Sequence, residues 1–334
     1  MEFLENSMFF NFSKSHDRKK TSKNKANLTS IALAYFASLG PMCPNIEGEF
    51  MDATTFTYGI EVECLSPDSV LQNDGLRIGP YHNGIQVPFL PTGWKAERDG
   101  SIRATPGFQG VEFVSPILRG PEGLAQIAEV LRILESKGFR VNESCSVHTH
   151  VGYRRDWPAD SLARLVNIVA YCEKGLYAIT GTKSRERGRY CSSVRKYGCE
   201  KNAKPMLDRN RYHALNLTNL ANGTRDTVEF RFASGSLKIS KVIPWTLVCL
   251  GLVERALTSK RSPVWTPRPL KGGWRKKGEG ASEAERLMGY LAWGAGYAKL
   301  HDGKQFGWME SDIVTQEQAK AEFRRLAAKY DTQP

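Results

Sequence analysis

Past residue 55 the chain settles into repeating patterns of apolar and polar positions. In the stretch 56–64, Tyr58, Ile60, Val62 and Cys64 fall on one side of a period-two alternation, and Gly59, Glu61 and Glu63 on the other. The same alternation marks strands over 110–115, 146–153, 212–218 and 226–233. Helical spacing of apolar residues marks 121–137, 159–180, 240–258, 282–300 and 315–330. Pro121 and Glu122 suit the start of the first of these helices, and Gly138 suits its end. Between them lie two basic, apolar-poor stretches, an insertion over 181–211 and a linker over 259–281. Residues 1–50 are polar and basic, then apolar, without periodicity, and read as a disordered or dispensable leader. Its basic-then-apolar order imitates a signal peptide, but the basic stretch lies too deep and cysteines follow. The expected organisation is a leader over 1–50, a catalytic domain over 51–258, the linker over 259–281, and C-terminal helices over 282–334 packed on that domain.

The polar sides of these strands carry the candidate chemistry. Glu112 opposes Val111 and Phe113; His148 and His150 oppose Val147, Thr149 and Val151; Glu229 and Arg231 oppose Val228, Phe230 and Phe232. A design with one apolar face and one ionisable face, repeated in four strands, predicts an α+β fold. Its sheet is mixed or antiparallel, with helices on the apolar face and a cleft on the other. The cleft would hold Glu61, Glu63, Glu112, His148, His150, Glu229 and Arg231. Buried carboxylates repel one another unless cations neutralise them. Oxygen-rich donors favour Mg²⁺ or Mn²⁺, and imidazole is compatible with Mn²⁺ or Zn²⁺. Singly, ExE, HxH and ExR are ordinary features of solvated strand faces; their joint occurrence points to a metal-dependent active site.

Composition adds bounds. With 41% hydrophobic and 25% charged residues, the 334-residue chain is that of a globular protein. No apolar run reaches the ~18 residues of a membrane span. The net charge of +12 admits nucleic acid or phosphate-rich ligands as partners without choosing among them. Seven irregularly spaced cysteines, with no CxxC, indicate neither a disulfide framework nor a zinc knuckle, and suit a reducing, cytoplasmic setting.

The motifs YGIEVE, WKAERDGSI, GVEFVSPIL, HTHVGY, YHALNL and TVEFRFASGSL occur in that order between about residues 55 and 258. In this the chain resembles the amidoligases, among the carboxylate–amine ligases related to glutamine synthetase and glutamate–cysteine ligase. The resemblance implies a curved, mainly antiparallel sheet like the glutamine synthetase catalytic domain, backed by helices on one face. It implies ATP-dependent joining of a carboxylate to an amine through an acyl phosphate, with Mg²⁺, or alternatively Mn²⁺, on the nucleotide phosphates. By motif, Glu61, Glu63, Glu112 and Glu229 resemble metal ligands, with Glu229 read as catalytic as well. His148 and His150 match the family's HxH strand, where one histidine lies near metal or nucleotide; His148 is read as a ligand and His150 as catalytic. Arg231 resembles the cation that stabilises the transferring phosphoryl group. Asn216 would orient phosphate or substrate, and Arg211 with Arg185, Arg187 and Arg189 would bind phosphate or carboxylate. Trp94, Asp99 and Ser101 match a structural or substrate-positioning motif. The substrates would be a carboxylate and an amine, carried on small molecules, peptides or modified nucleotides, with nucleic acid not the main partner.

Two other functions fit the same residues. A metal-dependent hydrolase would use the HxH pair and the carboxylates, with nucleic acid as one substrate suggested by the charge. An inert binding module would use the basic loops, though its full set of acidic residues argues against decay. The chain has neither HExxH nor a Walker-type GxxxxGK[ST], so ATP would need a fold other than the P-loop.

Overall fold

The computed structural model describes residues 55–154, 156–158, 160–195, 210–259, 279–291 and 313–334. The leader over 1–50, residues 196–209 of the basic insertion, residues 260–278 of the linker and residues 292–300 of the fourth expected helix lie outside the described residues.

Among the described residues, eight strands form one antiparallel sheet: β1 (Thr57–Pro67), β2 (Ile85–Gln86), β3 (Lys95–Glu97), β4 (Phe108–Val114), β5 (Leu118–Arg119), β6 (Ser146–Gly152), β7 (Leu215–Asn216) and β8 (Thr227–Ser234). Their order is β2-β3-β4-β1-β6-β8-β7, with β5 pairing the start of β1. The helices are α1 (Asp68–Asn73), α2 (Gly120–Ser136), α3 (Ser161–Thr180), α4 (Lys183–Arg187), α5 (Thr218–Asn222), α6 (Ile239–Thr258), α7 (Glu279–Tyr290) and α8 (Gln316–Asp331). The fold is therefore α+β with an antiparallel sheet, as the alternation predicts. None of the described helices is long and apolar enough to cross a membrane.

The apolar face is where the alternation places it. Tyr58, Ile60, Val62 and Cys64 are all buried, as are Val147, Val151, Val228, Phe230 and Phe232. Helices cover them: Phe232 packs its ring against Tyr177 of α3 and Trp245 of α6. The Tyr58 hydroxyl donates to the Gly120 carbonyl at the start of α2, 2.6 Å away. At the other end of α2, Gly138 takes a left-handed φ of 81°. There the Gly138 and Phe139 amides donate to the Glu135 and Leu134 carbonyls, which satisfies two carbonyls that the helix end leaves open.

Two of the boundaries that differ from expectation have a visible physical cause. The strand expected over 212–218 shrinks to Leu215–Asn216 because the Asn216 side chain accepts from the Thr218 amide at 2.9 Å and turns the chain into α5. The expected linker gives way to helix at Glu279 rather than at 282. There the Asp331 carboxylate, from the end of α8, accepts from the Gly280 and Ala281 amides at 2.6 and 3.1 Å. It serves as an N-terminal cap supplied from some fifty residues away. Helix α8 starts conventionally, with a capping box in which Thr315 and Gln318 exchange side-chain-to-backbone bonds. Both C-terminal helices pack on α3 and on each other.

Candidate functional site

Directly opposed residues of an antiparallel pair share a face, so the strand register decides which polar side chains meet. Glu63 lies opposite Glu112, and Glu112 opposite Glu97. Glu61 lies opposite His148, and His150 opposite Glu229, which in turn lies opposite Asn216. Between Val147 and Thr149 the pairing of β6 with β8 slips by one residue. A slip of this kind re-aims side chains, and it falls beside His148.

His148 is the hub. Its Nδ1 lies 3.1 Å from Glu61 Oε2 and 3.5 Å from Glu229 Oε1. Its Nε2 lies 3.7 Å from Glu63 Oε1 and 2.9 Å from the Ser146 hydroxyl. His150 Nε2 is 3.1 Å from Glu61 Oε1. Arg231 pairs with Glu229 Oε1, and Asn216 Nδ2 donates to Glu229 Oε2 at 2.6 Å. The Ser146 amide donates to Glu63 Oε2 at 2.8 Å. All of these groups are buried except the more open Glu61 and His150.

Among the described residues, two groups of three hold donor atoms within 4.8 Å of one another: Glu61, His148 and Glu229, and Glu63, Glu112 and His148. Carboxylate oxygens with one imidazole nitrogen form a donor set suited to Mg²⁺ or Mn²⁺. The electrostatics fit a cation too. Burial, and then the neighbouring Glu61 and Glu63 carboxylates, push the pKa of Glu112 well above the ordinary range. A divalent cation would relieve that repulsion. Glu61 shifts the other way: burial opposes its charge, but His150 and His148 outweigh burial and hold its pKa well below the usual carboxylate range. Burial opposes the charge of Glu229 as well, yet Arg231 and the two histidines keep its pKa low. Burial lowers and Glu61 raises the pKa of His150, with Glu61 prevailing.

Beside this cluster lies a cavity of about 600 Å³. Glu63, Ser146 and Arg231 line it from the sheet. Asp99 and Ser101 line it from the loop after β3, where the Ser101 amide donates to Asp99 Oδ1 at 2.6 Å. The remaining wall holds Tyr81, Arg185, Tyr190, Arg211 and Tyr212. Arg211 donates to the Tyr81 hydroxyl, joining segments 130 residues apart.

The structure thus brings Glu61, Glu63, Glu112, His148, His150, Glu229, Arg231 and Asn216 together, with Arg211 across the cavity. Arg187 and Arg189 are exposed and do not line the cavity; Arg189 stacks its guanidinium on Tyr190 instead. Of the basic run, Arg185 is the residue that reaches the wall. Trp94 is fully buried, and its indole donates to Gln126 Oε1 at 3.0 Å, a structural placement. Three residues at the site were missed by the alternation argument. Glu97 sits on the three-residue strand β3, too short to announce itself, although Trp94 and Ala96 do alternate with it. Ser146 was available from the HxH strand, two positions before His148. Tyr81 lies in a turn and carries no pattern.

No curated protein matches the chain. The family model described as "putative amidoligase enzyme" matches residues 47–205, which include Glu61, Glu63, Glu112, His148 and His150 and stop short of Asn216, Glu229 and Arg231. Over that segment, from before β1 to past α4, the chain carries the sequence pattern of the amidoligase family.

Proposed function

We propose that the protein is an ATP- and Mg²⁺-dependent ligase joining a carboxylate to an amine through an acyl phosphate, on a fold of the glutamine synthetase type. The observation that supports this reading most is the convergence of donors from four strands, β1, β4, β6 and β8, into two ligand trios that share His148. Glu61, Glu63, Glu112, His148 and Glu229 would hold the metal. Bound there, divalent ions supply neutralisation of the nucleotide's phosphate charge. Arg231 lines the cavity and is locked by Glu229 and by the Tyr190 carbonyl, which accepts from its Nε at 3.3 Å. Held this way, its guanidinium stabilises the phosphoryl group in transfer. His150 keeps Glu61 ionised, and Asn216 fixes the rotamer of Glu229. Arg211, at the cavity mouth, serves the phosphates or a substrate carboxylate. The buried free thiols of Cys64, Cys145, Cys172, Cys191 and Cys249 support a reducing compartment, the cytoplasm.

Calorimetric titration of a non-hydrolysable ATP analogue, with and without Mg²⁺, tests the reading. Saturable binding is expected that needs both Mg²⁺ and Glu61 and is abolished in Glu61→Ala. ADP release should then require a carboxylate and an amine together. Binding unaffected by Glu61→Ala would overturn the assignment. Turnover without nucleotide, on nucleic acid or another ester, would favour a metal-dependent hydrolase built on the same cluster.

A further inference from the structure

Residues 313–334 lie outside the matched segment, yet they reach the cavity wall through α4. Gly181 closes α3 in a left-handed conformation, φ 68°. A Cβ there would meet the Leu326 side chain of α8 at 3.0 Å and the Leu326 carbonyl oxygen at 3.2 Å, so helix α8 packs hard against this turn. Two residues on, the Lys183 amide donates to Gln333 Oε1 at 3.0 Å, and the Lys183 ammonium donates to the Gln333 carbonyl at 2.6 Å. The Gln333 side-chain amide donates back to the Gly181 carbonyl at 2.6 Å. The Tyr330 hydroxyl donates to Glu186, and the Lys183 ammonium stands 5.5 Å from the centre of the Tyr330 ring.

These contacts grip both ends of α4, which has only five residues. A helix that short does not hold its own shape in water. Helix α4 places Ser184 and Arg185 in the cavity wall. Arg185 donates to the Arg231 carbonyl oxygen, its Nε is buried without a hydrogen-bond partner, and no carboxylate pairs with it among the described residues. A partly satisfied guanidinium beside a cavity is suited to an oxyanion, which accepts two of its N–H groups at once.

We propose that Tyr330 and Gln333 are positioning residues: they hold α4 so that Arg185 binds an oxyanion in the cavity. The oxyanion is a phosphate of the nucleotide or the carboxylate of the substrate, and in this the inference rests on the ligase reading above. The assignment predicts non-additivity, because Gln333 acts only through Arg185.

The test is a four-protein cycle of the full chain, Gln333→Ala, Arg185→Gln and the double variant. The probes are the Mg²⁺ complex of a non-hydrolysable ATP analogue and inorganic phosphate. Each single substitution should weaken binding about tenfold, the size of one charge-assisted hydrogen bond. The double variant should bind no worse than Arg185→Gln. Loss for the ATP analogue assigns Arg185 to the nucleotide; loss for phosphate alone assigns it to the substrate anion. Additive losses, or none, overturn the proposal. Hydrogen exchange of amides 183–187 decides the positioning even in the absence of ligand. Protection should fall in Gln333→Ala, and unchanged protection overturns it. If the unmodified protein binds neither probe, the ligase reading fails, and the exchange result still judges α4.

Discussion

The sheet wall of the cavity and the loop wall facing it are built in different ways. Glu63 and Arg231 stand on β1 and β8, paired on both sides within the sheet, and each meets a partner a few ångströms away. Tyr81, Arg185, Tyr190, Arg211 and Tyr212 stand on turns, a three-residue 3-10 helix and a five-residue α-helix, and Tyr81, Tyr190 and Tyr212 are among the exposed large side chains. The strand wall holds like charges close together, which only a stiff ladder can sustain; its precision suits metal and phosphate. The loop wall is held by a few long-range bonds, from Arg211 to Tyr81 and from Gln333 to Lys183. Such a wall can change from one relative to another without disturbing the ladder, and it suits recognition of a particular substrate.

Four substitutions break or sharpen this contrast. The largest effect belongs to Arg231→Leu. It leaves Glu229 buried beside Glu61 without its cation, and the loss of one partner of a buried pair costs roughly 3–5 kcal/mol of stability. Urea denaturation should show this as a lower midpoint with an unchanged slope. A loss below about 1 kcal/mol would mean that the strand wall tolerates an unpaired charge, contrary to its described role.

Next comes the pH dependence of the metal-free protein. The Glu112 pKa is raised by burial and by its carboxylate neighbours, so between its ordinary value of 4.5 and its raised value the native state holds a proton that the unfolded state has lost. Stability therefore falls as pH rises through that window, with a slope of about 1.4 kcal/mol for every tenfold drop in proton concentration. Glu61 works in the opposite sense, and its contribution is lost only as pH falls below the ordinary carboxylate range. Calorimetric melting between pH 5 and 8 should fall less steeply for Glu112→Gln than for the unmodified chain. Added Mg²⁺ should flatten the unmodified profile in the same way. Parallel profiles would show that Glu112 is not the strained member of the cluster.

The smallest effect is expected on the loop wall. Arg211→Gln removes an exposed bond to Tyr81 and should change stability by no more than about 0.5 kcal/mol, while weakening binding of the ATP analogue several-fold. Arg187→Gln, away from the cavity, should change neither. Equal losses of binding in the two variants would mean that general positive charge, rather than the placed guanidinium, attracts the ligand.

Much of this protein is written in local patterns. The period-two alternation of 56–64, 110–115, 146–153 and 226–233 located the four strands that carry the cluster, because a strand buried on one face shows its polarity residue by residue. The helical spacing located α2, α3, α6 and α8 to within two residues, with Pro121 and Gly138 marking the two ends of α2. Glu61, Glu63, Glu112, His148, His150, Glu229 and Arg231 could be placed on one face because face is a property of a single strand. Which of them meet was decided by register between strands far apart in the chain, which put Glu61 opposite His148 and added Glu97 to the row. Tertiary contact likewise decided that Arg185, and neither Arg187 nor Arg189, reaches the cavity, and that α7 begins where Asp331 caps it. The physical reason is range. Alternation, turn chemistry and capping boxes act over a few residues and leave their mark in the local sequence. Cross-strand pairing and a cap from fifty residues away depend on chain segments that only folding brings together.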